Sequence, residues 1–242
     1  MAIIFLYLFY KTNAVDMPEV IAKAFSYKLY VVFHICPLKE WKAVVLEQIN
    51  SIQSSGLYDA LEKLFVCTSP PLGLSDSETI VKKYFAELNL DKVEFLCSTS
   101  SRTFENATMN AMVDKSVEIV NKDVDGFFLY IHNKGTFHPN NQAAKWRRSM
   151  MNHVVNNWNQ CAQLLDTGFK TAGPFYNWTT KYYSGNFWWA RATFLASRKK
   201  IDANGYRGLA ESFLMDHEMI NVKEHANLKG LSIWDHYTRN FS

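Results

Sequence analysis

The chain has 242 residues, of which 48% are hydrophobic and 20% charged. That balance excludes disorder, collagen-like repeats and a disulfide-stapled miniprotein, and the length suffices to bury a sizeable core. Net charge is only +3, but residues 126–201 carry ten bases against one acid, Asp166, a local +9 that leaves −6 on the remainder.

The same stretch holds five of the seven tryptophans, Trp146, Trp158, Trp178, Trp188 and Trp189. A basic, aromatic half on an otherwise acidic chain implies an anionic partner, set against the plain alternative of solvated bases. The bases are dispersed rather than striped along one helix, and no nucleic-acid signature is visible. A nucleotide diphosphate held in one cleft suits them better than a nucleic acid. The four cysteines, Cys36, Cys67, Cys97 and Cys161, show neither zinc-ligand spacing nor a disulfide framework, so a reducing, cytoplasmic setting is expected. The apolar run Ile3 to Tyr10 is too short to span a membrane and lacks a basic n-region and a small-residue cleavage site. It reads as a strand or a docked terminal segment, with the remnant of a trimmed anchor as the alternative, and no transmembrane segment is expected in this chain.

In chain order, Lys28 to Ile35 reads as a buried strand. Trp41, Val45, Ile49 and Ile52 recur at helical spacing until Ser55-Gly56 ends the helix. Leu64 to Thr68 is a second strand. Ser75 with Glu78 suggests a capping box for a helix reaching Leu88, and Val93 to Cys97 is a third strand. A helix over 104–120 turns Met109, Met112, Val113 and Val117 inward, and Phe127 to Ile131 is a fully apolar fourth strand. After a polar loop, one helix presents Trp146, Met150, Val154, Cys161 and Leu165 on one face. Strands are expected at Thr171 to Tyr176 and Asn186 to Ala190, and a last helix near Arg207 to Asp216. This alternation predicts an α/β fold with a mostly parallel sheet flanked by helices, as a single domain. Ligands of such sheets sit at the carboxyl ends of the strands. That rule selects His34 to Pro37, His132 to Gly135 and the surroundings of Ser184-Gly185-Asn186.

No Rossmann or Walker phosphate fingerprint, no His-Glu-x-x-His and no Gly-x-Ser-x-Gly elbow is present, which demotes dinucleotide oxidoreductase, zinc protease and serine hydrolase. What remains is His132-Asn133-Lys134-Gly135 at a strand end. Lys134 offers a compact cation for a phosphate oxygen, and Gly135 allows a sharp turn. Arg147 and Arg148 follow in the next helix, whose N-terminus also favours anions. Ser184-Gly185-Asn186-Phe187-Trp188-Trp189-Ala190 then mixes small polar groups with rings, as sugar recognition requires. On a strand Trp188 and Trp189 point to opposite faces, so at most one stacks on a sugar.

These three blocks, with Tyr130-Ile131 before the first and Trp146 opening the second, resemble a glycosyltransferase-like family similar to nucleotide-sugar transferases of the GT-A type. A looser likeness is to rhamnan-synthesis glycosyltransferases. Phe33-His34-Ile35, Glu47-Gln48, Ser55-Gly56-Leu57-Tyr58 and Asp235-His236-Tyr237-Thr238-Arg239 extend the resemblance over about 30–239. It implies a GT-A-like domain with a nucleotide-binding half at about 28–135 and a sugar and acceptor half at 136–242. It also implies transfer of a sugar from a nucleotide-diphosphate donor to a glycan or other hydroxyl acceptor. Such enzymes typically carry an Asp-x-Asp metal motif after an apolar strand, yet here that position holds His132-Asn133-Lys134. Asp123-Val124-Asp125 precedes the strand, at the opposite edge, and reads as a turn. A Mn²⁺ or Mg²⁺ ion would then be held otherwise, with His132 as one ligand, or basic residues would replace it. Lys134 with Arg147 or Arg148 would neutralise the departing diphosphate. His34 is a candidate wall of the base pocket, or an ordinary strand-end residue. For the acceptor proton, the resemblance points to a carboxylate on a late helix, Glu211 or Asp216. The alternatives are an inactive glycan-binding relative and a nucleotidyltransferase on a similar sheet.

Overall fold

The structure, a computed structural model, describes residues 27–71, 74, 76–99, 103–136, 141–177, 182–206 and 208–214. The apolar segment 3–10, Ser75, Trp178, Arg207, Asp216 and the block 235–239 lie outside the described residues.

Four strands, β1 (Lys28–Ile35), β2 (Leu61–Thr68), β3 (Val93–Ser98) and β4 (Gly126–His132), run parallel. Helices connect them: α1 (Trp41–Ser54) and the single turn α2 (Leu57–Ala60), then α3 (Ser77–Glu87), then α4 (Asn106–Val120). Beyond β4 come α5 (Asn141–Met151), a π-helical turn at Asn152–Asn156 and α6 (Trp158–Asp166). The short strands β5 (Thr171–Ala172), β6 (Tyr176–Asn177) and β7 (Tyr182–Tyr183) lead to β8 (Trp188–Arg191), α7 (Ala192–Ala196) and α8 (Gly208–Glu211). The six-stranded sheet has the order β3-β2-β1-β4-β8-β5, with β8 antiparallel to both neighbours, and β6 pairs with β7 apart from it. The α/β class and the mostly parallel central sheet are therefore as expected.

Both sheet faces are apolar because strands covered on two sides need continuous hydrophobic runs. Val31, Phe33, Leu64, Val66, Leu129, Ile131 and Trp189 pack on one face, against α1, α3, α5 and α6. Val32, Phe65, Phe128, Tyr130 and Trp188 pack on the other, against α4, α7 and α8. β1 leads outward to β2 and β3, and the chain then returns to place β4 on the opposite side of β1. The sheet thus reverses direction between β1 and β4, where a doubly wound sheet opens a ligand crevice.

Several local expectations need correction. The residue capping α3 is Asp76, whose carboxylate accepts from Thr79 N at 3.0 Å. Val117 is exposed on α4, one step off the buried stripe of Met109, Met112 and Val113. The long helix expected after β4 is broken by the π turn, in which Asn157 N reaches back five residues to Asn152 O at 3.2 Å. The widened turn leaves the Val154 carbonyl to accept from the Trp189 indole at 2.8 Å. The expected strand at 171–176 is two short ones, and the last helix spans four residues, Gly208–Glu211.

Candidate functional site

The site is assembled at the reversal between β1 and β4. Register pairs His34 with His132, side by side on the two strands. Asn133 sutures the strand ends: its Oδ1 accepts from Cys36 N at 3.1 Å, its Nδ2 donates to Cys36 O at 2.7 Å, and its own N–H reaches His34 O at 3.2 Å. Gln48 of α1 donates to His132 O at 3.1 Å, so the end of β4 is also pinned from the helical layer. Asn133 therefore ties the ends of β1 and β4 together, and its carboxamide is committed to that task.

His34 is likewise committed. Its Nδ1 lies 2.7 Å from Thr108 Oγ1 and its Nε2 lies 3.2 Å from Ser69 Oγ. Burial pushes its pKa down to about 3, so the ring is neutral at ordinary pH. Of the two roles open to His34, the structure gives the strand-end one: the ring ties β1 to β2 and α4 and is enclosed by protein hydroxyls. Next to it, Cys67 and Cys97 are register partners on β2 and β3, and all four cysteines are free thiols.

The Lys134-Gly135 turn continues from β4. Gly135 has φ +91°, and a β-carbon there would meet Ala143 Cβ and Arg147 Nη1 at 3.2 Å, so α5 closes directly over the turn. Arg147 is buried, donates to Lys134 O at 2.9 Å and grips Glu47 with Nε and Nη2 at 3.2 and 3.1 Å. Arg148 also reaches Glu47, at 3.1 Å. Partial burial pushes the Glu47 carboxyl up, but the hydrogen bonds from Arg147 and Arg148 outweigh it and hold the pKa below its usual value. The expectation that Lys134 acts with Arg147 or Arg148 on a diphosphate is corrected for Arg147, whose guanidinium is spent on Lys134 O and Glu47. Lys134 instead places Nζ 4.3 Å from the ring centre of Trp146, an indole that is 39% exposed.

β8 runs antiparallel to β4, so its start lies beside the end of β4, with Trp188 opposite Tyr130. The preceding turn, Ser184-Gly185-Asn186, is thereby brought to the same crevice. Gly185 has φ +93°, and a β-carbon there would run into Met150 Sδ and lie 3.2 Å from Trp146 Cζ2. Only glycine lets this turn lie flush on α5. Trp188 and Trp189 are 1% and 0% exposed and lie in opposite faces of the core. The expectation that one of them stacks on a sugar is corrected: both indoles are enclosed. Trp188 Nε1 donates to Asn186 Oδ1 at 2.7 Å and fixes that amide's orientation.

The structure adds a residue that the sequence reading missed. Glu105, just before α4, sets Oε2 3.5 Å from Asn186 Nδ2 and Oε1 4.0 Å from His132 Nδ1. Its side chain is 10% exposed. His132 packs edge-on against Phe187, with ring centres 5.1 Å apart. Glu105, His132 and Asn186 thus meet from three separate elements. The next residue, Asn106, directs Nδ2 at the carbonyls of Asp202, Gly205 and Tyr206 at 3.1–3.4 Å, and Asn110 exchanges two hydrogen bonds with Ile201. These bonds strap 201–206 onto α4 and carry the chain into α8, which ends on the half-buried Glu211.

Among the described residues no three His, Cys, Asp or Glu side chains are grouped as metal ligands. Glu105 and His132 offer at most two donors, and the Asn186 oxygen is taken by Trp188. The described residues thus bring two candidate donors together at this place. Asp125, from the Asp-Val-Asp triplet, sits at the amino end of β4 and pairs with Arg191 at 2.8 Å. Among the described residues no helix is long and apolar enough to cross a membrane.

A family model described as a domain of unknown function, DUF8361, matches residues 27–227, and the chain belongs to that family. No curated protein matches the chain.

Proposed function

We propose that this protein is a GT-A-like glycosyltransferase that moves a sugar from a nucleotide-diphosphate donor to a hydroxyl of a glycan or other acceptor. The observation that carries the reading is the meeting, where the ends of β1 and β4 adjoin the start of β8, of a cation, an imidazole, an oriented amide and an exposed indole: Lys134, His132, Asn186 and Trp146. Each group has a task in such a transfer. The Lys134 ammonium neutralises charge as the diphosphate departs, and the Arg147 contact to its carbonyl holds the turn that carries it. Ser184, partly exposed, takes a sugar hydroxyl, while the buried Asn186, with its oxygen fixed by Trp188, orders the turn that carries it. Trp146, with Lys134 standing over its ring, leaves part of an indole exposed to a sugar where Trp188 and Trp189 leave none. The crevice between β1 and β4 is where a nucleotide lies against such a sheet.

The test is turnover by the intact chain. It is incubated with a panel of sugar nucleotides, with and without Mn²⁺ and with mixed oligosaccharide acceptors, and nucleoside diphosphate is measured. Release from at least one donor is expected. Release from none contradicts the reading, and saccharide binding without release would mark a glycan-binding relative instead.

A further inference from the structure

We propose that Glu105 is the carboxylate that takes the acceptor proton during sugar transfer, an assignment that rests on the glycosyltransferase reading. A glutamate in front of a helix ordinarily serves as its cap. Glu105 occupies the cap position of α4, yet its side chain makes no capping hydrogen bond. It turns instead to Asn186 and His132, where the carboxylate is nearly enclosed. Burying a carboxylate costs free energy unless the fold gives it polar neighbours, and here the neighbours, Asn186 Nδ2 at 3.5 Å and His132 Nδ1 at 4.0 Å, come from the segments that converge at the end of β4. The backbone on both sides is unusual as well. Phe104 and Asn186 are non-glycine residues with φ of +49° and +58°. Left-handed backbone costs free energy at a phenylalanine and less at an asparagine; Lys39, Asn89, Asp123 and Phe175 adopt it elsewhere in the chain. Phe104 directs Glu105 away from its own helix, and Asn186 brings its amide up to the carboxylate.

The step is a direct displacement. The acceptor oxygen forms its bond to the anomeric carbon as the bond from that carbon to the diphosphate oxygen breaks. The electron pair of that bond leaves with the nucleoside diphosphate, beside Lys134. The acceptor hydroxyl proton passes to the Glu105 carboxylate and later to water. His132 and Asn186 act here as positioning residues that hold the carboxylate toward the crevice. The product has inverted configuration.

The experiment compares Glu105→Gln, Glu105→Asp and Glu211→Gln with the unmodified protein, on the donor that the turnover panel selects. Nucleoside diphosphate release is followed at saturating donor, donor affinity is measured by calorimetry, and thermal midpoints check the fold. Glu105→Gln keeps the shape of the side chain but cannot accept the proton. Its turnover is expected to fall about 100-fold, the lower end for loss of a general base, with donor affinity within about threefold of the unmodified protein. Glu105→Asp keeps the carboxylate but withdraws it, so it is expected to fold, bind donor normally and lose about tenfold in turnover. Glu211→Gln is expected to keep the larger share of its activity. Wild-type turnover in Glu105→Gln, or in Glu105→Asp should the glutamine variant not fold, overturns the assignment. So does loss of donor binding in step with turnover, or a loss confined to Glu211→Gln. If the unmodified protein releases nucleoside diphosphate from no donor, the transfer reading itself falls, and this assignment falls with it.

Discussion

His34 and His132 occupy matched register positions on adjacent strands, and both are buried, at 3% and 6% exposure. Their surroundings differ. His34 gives both ring nitrogens to protein hydroxyls, so it works as a structural tie among β1, β2 and α4. His132 faces a carboxylate and an aromatic edge where β4, β8 and α4 converge. Strand position is therefore not enough to assign a role: of two histidines at matched positions, one is fastened by hydroxyls and the other is set beside a carboxylate.

Replacement should separate the two most strongly in activity. His132→Asn removes the ring that lies 4.0 Å from Glu105, and sugar-nucleotide turnover is expected to fall by about 100-fold, as for loss of a positioned acid–base partner. A variant with a native thermal midpoint and full turnover would erase the contrast. For His34 the large effect is on stability. His34→Ala opens a cavity and strands two buried hydroxyls, at a cost of about 2–4 kcal/mol in denaturant unfolding. A cost below about 1 kcal/mol would remove the fastener role.

The pH dependence sharpens the same comparison. The folded pKa of His34 lies near 3, below the usual 6.5. The unfolded chain therefore binds the proton more readily, and stability rises with pH. The contribution is complete above pH 6.5 and is lost as pH falls toward 3, by at most about 1.4 kcal/mol per unit. His34→Gln should flatten that slope in unfolding measurements between pH 6.5 and 4, whereas an unchanged slope would assign the acid sensitivity to other groups. The smallest effect belongs to Lys134→Ala, which leaves the fold intact and lowers affinity for a nucleoside diphosphate about tenfold, as expected for one charge-assisted contact.

Much of this architecture is legible in the sequence because the strands are unbroken apolar runs. The strands 28–35, 61–68, 93–98 and 126–132 lie within a few residues of their expected bounds. The convergence of His132 to Gly135 with Ser184 to Asn186 follows from the rule for strand ends once β8 joins the sheet next to β4. Three features escape a reading along the chain. The uneven charge is partly cancelled in space: Glu47 meets Arg147 and Arg148, Asp125 meets Arg191, and Asp114 meets Lys200. These pairs join distant segments that local composition cannot relate. Among the described tryptophans the exposed indole is Trp146 rather than Trp188 or Trp189: it shares a helical spacing with the buried Met150 but ends beside the Lys134 turn, with Lys134 over its ring, instead of in the core. Glu105 escapes because a single acid before a helix looks like a cap, and only the folded chain brings it to Asn186 and His132.

Calorimetric titration of the intact chain with nucleoside diphosphates and their sugar conjugates, with and without Mn²⁺, tests the central claim most directly. The account predicts saturable one-to-one binding of at least one of these ligands, weakened about tenfold by Lys134→Ala. Absence of binding by every one of them, or binding that Lys134→Ala leaves untouched, would contradict a diphosphate seat at the Lys134 turn.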